Sequence, residues 1–129
     1  MRTLLGLFLG LHGIVHLLGF ALPWKIATIA DAPYKTTLLA GRLDVGDVGM
    51  RIVGALWLAT AIAFVAAGIG VLTVQPWWRA VAIVVAGVSF GLCVLAWPDA
   101  PIGVVLNLVL LALLLSGAAL TASPGRIPS

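Results

Sequence analysis

Four apolar runs, at about 3–22, 48–72, 78–97 and 101–120, take up most of this chain, and each is long enough to cross the hydrocarbon core of a bilayer as one helix. A soluble domain keeps roughly a quarter of its residues charged. Here 9% are charged and 63% are apolar, and the mean hydropathy is +1.24. Seven basic and four acidic side chains cannot cover a water-facing surface, so the outer surface is expected to meet lipid. The expected fold is all-α: a polytopic four-helix bundle forming a single membrane domain over 1–129, with one long loop at 23–47 and both termini on one side.

The punctuation between runs fits that layout. Span one stops at Pro23-Trp24-Lys25, where proline resists continuation, tryptophan favours the interface and lysine marks water. A cleaved signal peptide is the alternative reading, but the apolar run is too long for it and Pro33 would follow the cut. Within the long loop, Ile26, Ile29, Leu38 and Leu39 alternate with polar neighbours, which suggests a short interfacial helix. Gln75-Pro76-Trp77-Trp78-Arg79 and Trp97-Pro98-Asp99-Ala100-Pro101 are tight turns that make successive spans antiparallel neighbours. Asp99 is placed to cap span four, with Pro101 in its first turn. Ser123-Pro124-Gly125-Arg126 reads as a frayed tail.

The formal net charge is +3, and its basic residues, Arg2, Lys25, Lys35, Arg42, Arg51, Arg79 and Arg126, are scattered. No cluster points to nucleic acid, and weak attraction to anionic headgroups is the simpler reading. The positive-inside count is close to a tie. The short N-terminal tail favours cytoplasmic termini, in a bacterial-type inner membrane. Cys93 is the only cysteine, so neither an internal disulfide nor a CxxC redox pair is available.

Polar groups inside a span are costly and each needs a reason. His12 and His16, at i and i+4, share one helix face and are the candidate catalytic residues. They can move protons, ligate haem or contribute to a metal site, or each can simply bond a neighbouring helix. They are expected to face the bundle interior, where they can reach Asn107, Ser89 or the Arg51 cluster. Asp44, Asp47 and Arg51 fall on one face at the start of span two, where Asp47 and Arg51 can pair. With Trp57 and Asn107 they form the candidate ligand-binding set. Gly6, Gly10 and Gly13 offer a close-approach face on span one, and Ala82, Ala86, Ser89 and Cys93 form a small-residue packing stripe on span three. No bound metal is expected, because two imidazoles supply only two ligands and the acids lie near the surface, away from His12.

The opening Arg2-x-Leu4-Leu5-Gly6-Leu7-Phe8 and the small four-span layout resemble DoxX-like membrane proteins. That resemblance implies a link to quinone-coupled oxidoreductases; it assigns no functional residue. Span one lacks the embedded glutamate of small multidrug transporters. The leading expectation is an intramembrane polar pocket that binds a small lipophilic molecule, quinone- or isoprenoid-like, with the histidines transferring protons and Arg51 anchoring a polar head. One alternative is a haem or metal protein, in which a second chain must supply the other axial ligand. Another is an accessory subunit of a membrane complex, or a homo-oligomer, whose polar groups only hold helices together. The cofactor, if any, is not legible.

Overall fold

The computed structural model describes residues 1–117. Helices α1 (Arg2–Val15) and α2 (Leu17–Ala21) make the first span. Strands β1 (Thr37–Leu38) and β2 (Leu43–Asp44) follow, then α3 (Gly46–Leu72), α4 (Trp78–Leu95) and α5 (Pro101–Ser116). Three helical stretches are long and apolar enough to cross a membrane: Arg2–Ala21, Gly46–Leu72 and Trp78–Leu95. α5 is as apolar but has 16 residues. It ends where Gly117 adopts the left-handed conformation, φ 71°, which glycine takes without a steric penalty. Positions 118–120, expected as the end of span four, and the tail at 123–126 lie outside the described residues.

Packing runs in sequence order. α1 and α2 pack on α3, α3 on α4, and α4 on α5. The short turns dictate the last two pairings. The first depends on glycine: a Cβ on Gly13 would lie 2.7 Å from the Ala61 carbonyl oxygen, and one on Gly68 would lie 2.7 Å from that of Gly6. Of the expected close-approach face, Gly6 and Gly13 thus abut α3, whereas the Cβ position of Gly10 is open. The core is Leu9, Phe64, Ala67, Val71, Val85, Leu110 and Leu114, with Ala82 and Ala86 letting α4 come close. Large side chains such as Leu4, Leu11, Ile62, Val84 and Ile102 remain on the outer surface, as expected of a bundle whose outside solvent is apolar.

At the end carrying the N-terminus, two arginines close helix C-termini. Arg2 Nη2 donates to the Val71 carbonyl at 3.0 Å. Arg79 donates from Nε at 3.1 Å and from Nη2 at 2.7 Å to the Leu114 carbonyl. Last-turn carbonyls have no partner within their own helix, and a cation there also suits the helix dipole. Arg79→Ala is expected to cost about 2 kcal/mol, the range for a hydrogen bond to a charged group. Thermal unfolding in detergent checks this, and Arg79→Lys should recover only part of the loss because it cannot form the two-pronged contact.

At the opposite end the long loop is not the interfacial helix expected from its apolar residues. It folds into the β1–β2 hairpin, with Thr37 opposite Asp44. The hairpin docks on the α4–α5 turn through Leu39 N–H to the Leu95 carbonyl and Ala40 N–H to the Trp97 carbonyl, both 2.8 Å. Backbone-to-backbone bonding between loop and turn outweighs the weak amphipathic pattern. Asp99 does not cap α5, whose N-cap is Ala100 without a side-chain bond; it pairs with Lys35 of the loop.

Candidate functional site

The first span tightens at His16. Its backbone N–H is shared between the carbonyls of Gly13, at 3.1 Å, and His12, at 3.4 Å, and Gly19 N–H bonds the His16 carbonyl at 3.0 Å. These i to i+3 bonds form a 3₁₀-like step between α1 and α2. The cause is local: His16 Nδ1 donates to the His12 carbonyl at 2.7 Å and competes with the helical ladder.

Both imidazoles point into the bundle. His16 is 3% exposed and His12 8%, while Ser89 and Asn107 are fully buried. His16 Nε2 meets Ser89 Oγ at 2.6 Å, and His12 Nε2 meets Asn107 Oδ1 at 3.4 Å. Asn107 Nδ2 donates to the Gly103 carbonyl at 2.8 Å and to Cys93 Sγ at 3.7 Å. Cys93 lies one turn after Ser89 on α4. Aromatic rings enclose the group. Phe64 stands edge-on to His12 at 4.7 Å, Phe8 stacks on His12 at 5.5 Å, and Trp57 lies 5.0 Å from His16.

Two carbonyls fix the direction of every bond, because a carbonyl only accepts. The atom facing Gly103 must be the amide nitrogen of Asn107, so its Oδ1 faces His12 and Nε2 of His12 carries the proton. The nitrogen of His16 facing the His12 carbonyl carries that ring's proton, so Nε2 of neutral His16 accepts from the Ser89 hydroxyl. Ser89 has then spent its proton on His16. The bonds form two chains that meet at His12: Ser89 donates to His16 and His16 to the His12 carbonyl, while His12 Nε2 donates to Asn107, whose amide donates to Cys93. Such one-way chains polarise one another. His12 Nδ1 takes part in none of these bonds.

Of the seven site residues expected from sequence, the structure brings His12, His16, Trp57 and Asn107 together. Asp44, Asp47 and Arg51 lie elsewhere, among the loop contacts. Asp47 does not pair with Arg51; it accepts from the Tyr34 hydroxyl and pairs with Lys25 at 3.7 Å. The guanidinium of Arg51 is exposed and makes no ion pair among the described residues, while its carbonyl accepts from Trp24 Nε1 at 3.0 Å. Arg51 therefore does not reach the histidines. Lys25 and Tyr34 of the loop take the Asp47 carboxylate instead. Asp44 accepts from Gly46 N–H at 3.0 Å, which with Thr36 holds its carboxyl below the usual value. Ser89 was expected both in a packing stripe and within reach of the histidines, Cys93 only in the stripe; their i, i+4 spacing on α4 brings Ser89 to His16 and Cys93 to Asn107.

No match to a known protein emerges. Comparison finds no matching family model, no matching curated protein and no matching solved structure. The site therefore has to be read from its own chemistry. No group of three or more His, Cys, Asp or Glu that could hold a metal ion occurs among the described residues.

Tyr34 gives a direct check of the loop geometry. Donation to Asp47 is the main reason its hydroxyl ionises above the usual tyrosine value. A raised value in the folded state means stability that is present below the ordinary tyrosine pKa and lost as pH rises through the folded one. Tyr34 is the only tyrosine, so ultraviolet titration reads it alone. Asp47→Asn should move the titration back towards the ordinary value; no movement would show that the contact is absent in solution.

Proposed function

We propose that this chain is a four-span integral membrane protein that binds a small lipophilic molecule beside His12 and His16 and exchanges protons with its polar head. The observation that carries this reading is the buried hydrogen-bonded group of His12, His16, Ser89, Cys93 and Asn107, assembled from α1, α4 and α5. Helices that only need to associate in lipid can do so through small residues, as α1 and α3 do through Gly13 and Gly68. Two imidazoles at that depth are a costly way to hold helices together and a direct way to hold protons. A quinone- or isoprenoid-like head matches the site in polarity, and the DoxX-like resemblance points the same way. A plasma membrane of bacterial type with cytoplasmic termini belongs to this proposal. Cysteines placed at Ser129 and in the 25–46 loop should label from opposite sides.

The test uses the purified chain in lipid nanodiscs with decyl-hydroquinone and its oxidised quinone as probes. Wild type should bind at least one of the pair. His16→Gln, which keeps a donor and an acceptor, should stay folded by circular dichroism and lose that binding. If neither probe binds and His16→Gln only lowers the unfolding temperature, the reading fails.

One observation favours a second reading. Among the described residues every side-chain nitrogen or oxygen sealed from the surface has a partner. The group can thus serve simply as a clamp joining α1, α4 and α5, which fits an accessory subunit without chemistry of its own.

A further inference from the structure

We infer that the molecule taken up at this centre is a hydrogen-bond donor, a lipid-soluble phenol, hydroquinone or alcohol, and that its hydroxyl docks on Nδ1 of His12. The inference rests on the ligand-binding reading above and sharpens it. The group spends every N–H and hydroxyl proton it owns. Both Asn107 amide protons go to the Gly103 carbonyl and Cys93, the hydroxyl proton to His16, and each imidazole proton to the next acceptor. A ligand that can only accept therefore finds no N–H or hydroxyl left to donate to it.

The group leaves one acceptor over. With Nε2 protonated towards Asn107, neutral His12 holds a bare lone pair on Nδ1, outside these bonds. Because all sealed polar atoms are partnered, an Nδ1 without a bond retains access to the surface, consistent with the small residual exposure of His12. The approach is from the apolar outside of the bundle. Phe8 stacks on the His12 ring with an interplanar angle of 17° and is itself 37% exposed. α1 packs on α3 and α5 packs on α4; between α1 and α5 the polar link is His12 to Asn107, without close packing of their backbones. A hydroxyl arriving beside Phe8 reaches His12 while its apolar tail stays in lipid. No covalent step is involved: the ligand donates a hydrogen bond, and Nδ1 is the atom on which its proton can be received.

Isotope-labelled histidine read by NMR tests this, since the chain has only two histidines. The probes are decylphenol, its methyl ether, which lacks only the donor proton, and decyl-benzoquinone, which has none. Without ligand, His12 should carry its proton on Nε2. Decylphenol should shift the His12 Nδ1 resonance, and the ether and quinone should leave it in place. Phe8→Trp should weaken the phenol response several-fold. A ligand-free His12 protonated on Nδ1, or an equal response to ether or quinone, would overturn the donor inference while leaving a ligand site standing. No response of either histidine to any probe would overturn the ligand reading and this inference together.

Discussion

Gly13→Ala is expected to destabilise the folded chain by about 1–3 kcal/mol, and Gly13→Leu to prevent α1 from packing on α3. An added Cβ would meet the Ala61 carbonyl oxygen at 2.7 Å and the Phe64 Cβ at 2.9 Å. Neither can swing aside: one is helix backbone and the other is fixed at the root of a fully buried side chain. The two helices must separate, and the core between Leu9 and Phe64 opens with them. His12, one residue before Gly13, would be carried away from Asn107 as well. The control lies one turn earlier. A Cβ on Gly10 meets nothing within 4 Å, so Gly10→Ala should be neutral or stabilise by up to about 1 kcal/mol through helix propensity. Thermal unfolding in one detergent compares the pair. Equal behaviour of Gly10→Ala and Gly13→Ala would contradict the packing described.

Replacing His16 with leucine is expected to cost about 3 kcal/mol, mostly through what it leaves behind. Leucine matches imidazole roughly in volume, so the loss is chiefly polar. The Ser89 hydroxyl, fully buried, would lose the acceptor for its proton, and the His12 carbonyl would lose its side-chain donor. A stranded buried donor carries its full desolvation penalty, whereas removing both partners together carries little. The double variant His16→Leu, Ser89→Ala should therefore be more stable than the sum of the single effects by about 1–2 kcal/mol, a coupling read from a double-mutant cycle. Additive effects would show that His16 and Ser89 are not bonded across α1 and α4. The cycle tests the geometry alone. His16→Gln in the binding assay asks the separate question of whether the buried group serves a ligand or only joins helices.

The sequence determined the helical, apolar character of this chain, because composition and run length leave few other ways to satisfy the backbone. The antiparallel neighbours followed from turns too short to do anything else. His12 and His16 facing inward was likewise legible, since i, i+4 spacing puts them on one face and solvation turns that face away from lipid. Asn107 and Ser89 were legible as partners within reach, but not which imidazole each would meet, nor that Arg51 would stay away. Cys93 looked like a packing residue because small side chains serve both purposes; only the placement of α4 brings a hydroxyl within 2.6 Å of His16. Asp47 and Arg51 share a helix face and looked like a pair, yet Lys25 and Tyr34, more than ten residues away in the chain, take the carboxylate. Spacing along one helix is a local property that sequence carries directly. Which side chain from another element arrives first depends on how helices and loop dock, and that is decided by glycine contacts, turn lengths and backbone bonds distributed over the whole chain.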